Sequence, residues 1–332
     1  MPMAWQEERG AALDAAREAC RVCEAVREGL VSAETLWKGD RSPVTVADFC
    51  SQALICRRLL AAFPGTAIVA EEDADDLRGA GTSATRRRVL EYARMVEPSL
   101  SEADLLDALM LGRGRAEPAG RFWVIDPVDG TKGFLRGEQY AVAIALIEEG
   151  RVVLGVLGCP RLPAAPGPSE APPGGLFYAA RGQGARALGP GGGPEEALSV
   201  SRQGNPTEAV LCESVEAAHS SQGEAARIAE VLGVRAAPLR MDSQAKYAAV
   251  ARGDADIYLR LPTRADYEEK AWDHAAGALL VAEAGGHVSD AYGRPLDFAQ
   301  GRTLRANRGV VATNGALREP VGRAVSRVLA AD

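Results

Sequence analysis

The strongest constraint on this chain is the stretch Asp126-Pro127-Val128-Asp129-Gly130-Thr131, which directly follows the apolar run Arg121 to Ile125. Such a run reads as a buried strand, and a strand that ends in two carboxylates must open onto a cleft. Pro127 and Gly130 pin a turn there, so that both carboxylates point into one space, where unpaired they repel each other. Hard divalent cations satisfy oxygen-rich clusters of this kind, and Val128 can lend its carbonyl. An ordinary Asp-Pro turn also explains Pro127 and Gly130. It does not explain the paired carboxylates, nor Glu71-Glu72 at the end of another short strand, Thr66 to Ala70. A third acidic position, Asp273, stands at the start of a helix from Trp272, where the helix dipole alone would favour it. Singly, each has an ordinary explanation; three acidic strand or helix ends in one mixed fold point to a metal site.

Around these positions the apolar pattern alternates between periods. Helical spacing runs from Trp5 to Leu30 and again from about Val46 to Phe63, where Thr45 and Asp48 have the spacing of a capping box after a polar turn, Lys38 to Pro43. Residues 74 to 120 are weakly patterned, with one helix opened by Ser101 to Asp104. Tyr140 to Ile147 and Val152 to Leu157 form a hairpin, and Leu176 to Ala180 is a further strand between Pro/Gly-rich loops. Beyond the second loop, Leu188 to Glu196, strands and helices alternate: Ala209 to Glu213, Glu224 to Leu232, Leu239 to Met241, Gln244 to Arg252, Ala255 to Leu259, then Trp272 to Ala284. An α+β half, 1–190, followed by an α/β half, 191–332, is the expected organisation. The 332 residues are enough for two domains at ~150 residues each.

Composition excludes several classes. Hydrophobic residues at 47% and charged residues at 25% argue against disorder. No uncharged apolar run is long enough for a membrane span, and the N-terminus lacks the apolar core of a secretory signal. A net charge of −7 does not suit a long nucleic-acid footprint. The expected partner is therefore one small anion, with no nucleic acid and no membrane, the chain acting as a monomer in the cytoplasm or in an organelle after loss of a transit peptide. The six cysteines are too scattered for a disulfide framework; Cys20 and Cys23 are expected to be small apolar helix residues rather than a redox pair. Gly182-Gln183-Gly184-Ala185-Arg186-Ala187 fits a loose dinucleotide fingerprint, but no helix follows it to hold a pyrophosphate. His274 and His287 are expected to be structural.

Longer stretches carry a resemblance. WVIDPVDGTKGF from Trp123 resembles the first signature of the lithium-sensitive, magnesium-dependent phosphatase superfamily, which includes the inositol monophosphatases, and WDHAAGALLVAEAGG from Trp272 resembles its second. SPVTVADFCSQ from Ser42, DGTKGFLRGEQYAVAIAL from Asp129, DSQAKYAAVARGDADIYLRLP from Asp242 and EKAWDHAAG from Glu269 are similar to its 3′(2′),5′-bisphosphate nucleotidase branch. Inositol monophosphatases more often carry Thr-Asn-Phe where this chain has Lys132-Gly133-Phe134. The resemblance runs from about residue 10 to 315 and is weakest over 74 to 120 and the two Pro/Gly loops.

That resemblance implies a layered α-β-α-β-α fold and hydrolysis of the 3′-phosphate of adenosine 3′,5′-bisphosphate, with two or three Mg²⁺ ions and inhibition by Li⁺. It implies that Glu71, Asp126, the Val128 carbonyl, Asp129 and Asp273 are metal ligands. Asp48 and Thr131 match the pair that holds and deprotonates the attacking water. His219, Ser243, Lys246 and Arg260, with Thr131 and Asp273, match the substrate-binding set; Gln222 stands where relatives often have a second His. The chemistry is coherent: phosphate monoesters hydrolyse very slowly unaided, and paired divalent ions activate water and stabilise the displacement without a covalent nucleophile. Lys246 and Arg260 would take the second anionic group of the substrate. The alternatives are an inositol phosphate phosphatase and, in another class, a non-catalytic sensor of the bisphosphate nucleotide, which would have no need of Asp48 and Thr131 on a water.

Overall fold

The computed structural model describes residues 4–31, 43–165, 174–215, 221–262, 264 and 266–330. Period-two alternation in its strands divides one sheet between two cores. Along β2 (Arg121–Asp129), Trp123 and Ile125 join the core under α1 (Gln6–Val31) and α2 (Pro43–Ala62), whereas Phe122 and Val124 join a second core on the opposite face. In β3 (Ala141–Glu148), Val142, Ile144 and Leu146 face the first core, and Ala143, Ala145 and Ile147 the second. Strands buried on both faces read as continuous apolar runs, which is why they were legible.

The first sheet has seven strands in chain order: β1 (Ala67–Ala70), β2, β3, β4 (Arg151–Cys159), β5 (Gly175–Ala180), β6 (Ala185–Leu188) and β7 (Glu196–Ala197). Only β1 and β2 are parallel. Its second face packs on α8 (Ala245–Arg252) and α9 (Ala275–Glu283). Gly155 of β4 permits this contact, because a Cβ there would lie 2.8 Å from the Ala276 carbonyl oxygen. The far side of α8 and α9 meets a five-stranded sheet ordered β11 (His287–Ser289), β12 (Val310–Thr313), β10 (Ile257–Arg260), β8 (Leu211–Glu213), β9 (Leu239–Arg240). A third core, with Leu211, Ile257, Leu259 and Val311 against Ile228, Val321 and Val325, covers its outer face with α7 (Gln222–Leu232) and α10 (Arg318–Leu329). The layers are therefore helix, sheet, helix, sheet, helix, the order expected.

Several local expectations need correction. Pro43 opens α2, so Asp48 lies inside the helix instead of closing a capping box; proline suits the first helical position, whose N–H needs no partner. The polar turn before it falls outside the described residues, Pro43 aside. Residues 74 to 120 hold α3 (Asp75–Arg78) and α4 (Ser83–Ala93) besides the expected α5 (Glu102–Leu111). In α4 an Arg-Arg-Arg run hides a buried stripe of Val89 and Ala93. Ser101 and Asp104 do form a capping box on α5. The segment Gly182 to Ala187 contributes β6, and the Gly182 and Gly184 amides donate to the Glu283 carboxylate at 2.8 and 2.9 Å. A side chain thus occupies the place a pyrophosphate would need.

All six cysteines are free, Cys20 partly exposed and the rest buried. Burial pushes the Cys20 thiol up to about 12. Among the described residues no helix is long and apolar enough to cross a membrane.

Candidate active site

The parallel pairing of β1 with β2 sets Ala70 beside Ile125, so Glu71, just past the end of β1, follows on beside Asp126 of β2. Instead of ending in a turn at Ile125, β2 continues to Asp129. Asp126 pairs with Ala143 and Asp129 with Ala141, so Pro127 and Val128 together oppose one residue, Val142. This bulge tolerates the proline and re-aims the second carboxylate. Ser51 of α2 donates to the Pro127 carbonyl at 2.8 Å and holds the bulge from behind.

Glu71, Asp126, Val128, Asp129, Thr131 and Asp273 line one cavity of about 340 Å³ together with Ser243, Lys246 and Arg260. Asp273 lies in a 3-10 turn, Ala271–Asp273, just before α9. Asp48 is buried beside this lining, and His219 lies outside the described residues. Gly130 and Lys132 also line the cavity, as do Ser214, Asp242, Gln244, Tyr258 and Tyr267, which were not singled out from sequence.

The acidic groups repel one another strongly. Burial first, then Asp273 and Glu72, push Glu71 up to about 8. Asp126 is driven well above the usual carboxylate range by burial and then by Glu71, Asp129 and Asp273. Asp129 is raised by burial and Asp273, against the pull of Lys246 and Arg260, and its Oδ2 accepts the Gln244 N–H at 2.5 Å. Asp48 is raised well above its ordinary value by burial, Glu72 and Glu71. Among the described residues, Asp126 Oδ1 is buried without a hydrogen-bond partner. A buried carboxylate oxygen with no donor, amid three more carboxylates, fits a hard divalent cation.

The basic side of the cavity comes from β10 of the second sheet, from α8 and from the loop before α8. Ser243 adopts a left-handed conformation, φ 68°, and its hydroxyl accepts from the Ala245 N–H at 3.1 Å. Its loop lies hard against α6 (Thr131–Arg136): a Cβ on Gly133 would stand 2.1 Å from the Gln139 carbonyl oxygen and 3.1 Å from the Asp242 side chain. Arg136 closes the same contact with an ion pair to Asp242. Lys246, in the first turn of α8, is 4% exposed; its ammonium lies 3.4 Å from the Met241 carbonyl oxygen and 5.3 Å from the centre of the Tyr258 ring. Burial lowers its pKa, which Asp129 opposes.

Arg260 reaches the cavity already paired. Its Nη2 donates to Asp273 at 2.8 Å, and its Nε lies 2.9 Å from Glu269. Behind Glu269, His274 Nε2 stands at 3.0 Å, with the Tyr247 hydroxyl 2.7 Å from its Nδ1. Burial opposes the Arg260 charge, but Asp273 and Glu269 outweigh it and raise its pKa. The donor atoms of Glu269, Asp273 and His274 lie within 4.8 Å of one another, and two of the three, Glu269 and Asp273, are paired with this guanidinium. His274, expected from the sequence to be structural, is fully buried with a partner at each ring nitrogen. Glu269 was missed as a contributor, although it lies in a stretch that carries the resemblance.

A family model described as the inositol monophosphatase family matches residues 4–329. A 3′(2′),5′-bisphosphate nucleotidase of Emericella nidulans is 46% identical over 320 residues, covering 89% of this chain and 91% of that one. A 3′(2′),5′-bisphosphate nucleotidase of Oryza sativa is 45% identical over 334 residues, covering 96% and 93%. Among solved structures, an inositol monophosphatase from Zymomonas mobilis superposes with a TM-score of 0.65 at 20% identity, covering 98% of this chain and 99% of that one. At that identity the likeness shows the fold alone.

Proposed function

The chain belongs to the inositol monophosphatase family, and we propose that it is a metal-dependent phosphatase that hydrolyses the 3′-phosphate of adenosine 3′,5′-bisphosphate to AMP and phosphate. One observation carries this reading: a single cavity is lined both by the carboxylate cluster and by two cations, the buried Lys246 and the partly buried Arg260. A substrate with two separate phosphates matches both halves of that lining, and the names of the relatives support the same choice.

In this reading residues 1–190 contribute the metal-binding half and residues 191–332 the substrate-binding half. Glu71, Asp126, the Val128 carbonyl, Asp129 and Asp273 would hold two or three Mg²⁺ ions. When bound, those ions would supply electrostatic stabilisation of the phosphoryl oxygens and lower the pKa of water. Thr131 would orient the attacking water and Asp48 accept its proton. Lys246 and Arg260 would engage the 5′-phosphate, while Ser243 and His219 would line the nucleoside. Since Arg260 also holds Asp273, it would fix a metal ligand and a substrate anion with one side chain.

Phosphate release from adenosine 3′,5′-bisphosphate, adenosine 3′-monophosphate and inositol 1-phosphate, each with Mg²⁺ or excess EDTA, tests the proposal. Expected is Mg²⁺-dependent release with the bisphosphate preferred. Preference for inositol 1-phosphate would transfer the assignment to an inositol phosphatase. Tight binding of the bisphosphate without turnover would make the chain a sensor.

A further inference from the structure

Arg302 lies outside the carboxylate cluster and outside each of the motifs quoted above for the resemblance. Its guanidinium nevertheless touches both elements from which Glu71 and Asp273 emerge. Nη2 donates to the carbonyl of Ala70, the last residue of β1, at 2.8 Å. The same guanidinium rests on the indole of Trp272, 4.8 Å from the ring centre. Its main chain is tied in as well, since the Ala271 N–H donates to the Arg302 carbonyl at 3.0 Å. Ala70 precedes Glu71, and Trp272 precedes Asp273.

We propose that Arg302 is a positioning residue, setting the separation of the Glu71 and Asp273 carboxylates by fastening the strand end that carries one to the turn that carries the other. This rests on the reading above that both are metal ligands. A planar guanidinium can donate at its edge while its face stacks on an aromatic ring, whereas an ammonium is a point charge. The neighbouring Arg113 is committed differently, to Asp73 and Asp75. Arg302 instead closes on a carbonyl and an indole, beside a cavity of about 680 Å³ that shares Glu71 with the candidate active site.

Groups that orient metal ligands from behind typically change metal affinity about tenfold or more when removed. The test titrates substrate-free protein with Mn²⁺, following the loss of the free-ion EPR signal, alongside thermal melting in EDTA and KM at saturating metal. Arg302→Met is expected to weaken Mn²⁺ binding about tenfold, with KM for the bisphosphate within twofold of wild type. Arg302→Lys keeps the charge without the planar fork and is expected to remain severalfold weaker than wild type. A lower melting temperature with unchanged Mn²⁺ affinity would overturn the proposal in favour of a purely structural role. Wild-type affinity in Arg302→Lys would overturn it too, because charge alone would then suffice. A raised KM at unchanged Mn²⁺ affinity would make Arg302 a substrate contact. Because no substrate is present in the titration, absence of Mn²⁺ binding by wild type sinks the metal reading itself, which is a different result from an unaffected variant.

Discussion

The side-chain amide of Gln52 holds the main chain of Glu72 with both of its polar atoms: Nε2 donates to the Glu72 carbonyl at 2.8 Å, and Oε1 accepts the Glu72 N–H at 2.9 Å. Gln52 is fully buried and lies one helical turn beyond Asp48, so α2 places the proposed base and clamps the acidic strand end together. Gln52→Ala removes two hydrogen bonds and leaves their partners without replacement. It should cost about 2 kcal/mol of unfolding free energy, read from urea denaturation in EDTA. Unchanged stability would mean that water replaces the amide without loss.

Without metal, the carboxylate cluster makes folding depend on pH in an unusual direction. Glu71 binds a proton more tightly in the native state, with its pKa raised from 4.5 to about 8, and Asp48, Asp126 and Asp129 shift the same way. The native state therefore carries more protons than the unfolded chain, and stability falls as pH rises from about 4.5 towards 8. Melting in EDTA should show this decline. Added Mg²⁺ should raise the melting temperature more at pH 8 than at pH 5, because the cation replaces protons that are absent at the higher pH. A Mg²⁺ shift that is equal at both pH values would separate these carboxylates from metal binding.

Asp48 distinguishes catalysis from binding. If it accepts the proton of the attacking water, Asp48→Asn should lower kcat by roughly two to four orders of magnitude, the scale of a positioned general base. KM should stay within a few-fold. Normal kcat with weakened metal binding would reduce Asp48 to one more acidic neighbour of Glu71 and Glu72.

Lys246 is a cleaner probe of the second phosphate than Arg260, whose removal would also strip Asp273 and Glu269 of their cation. Lys246→Met keeps most of the buried stem and loses the charge. Loss of one charge-assisted contact, about 1.5–3 kcal/mol, corresponds to a roughly tenfold to hundredfold rise in KM for adenosine 3′,5′-bisphosphate. Hydrolysis of adenosine 3′-monophosphate should barely change. Equal losses on both substrates would indicate that Lys246 acts by steadying Asp129, whose negative charge it favours.

By itself the sequence marked the long central strands and the acidic residues at their ends, and its resemblance to a family implied the layer order; the short strands β6, β7 and β12 were not read from it. A continuous apolar run marks a strand buried on both faces, and unpaired carboxylates at its end are chemically conspicuous wherever they occur. Tertiary structure decided how those residues are held. The parallel register of β1 on β2 brings Glu71 beside Asp126, and a bulge, where a turn was expected, turns Asp129 inward. Arg260, anticipated as a group for substrate, proved to be joined to Asp273 and Glu269 as well. Gln52, Ser51 and Arg302 act through the main chain of Glu72, Pro127 and Ala70. Every residue carries a backbone carbonyl, so contacts of this sort leave no mark in residue type or spacing, and only the folded chain selects which carbonyl is met.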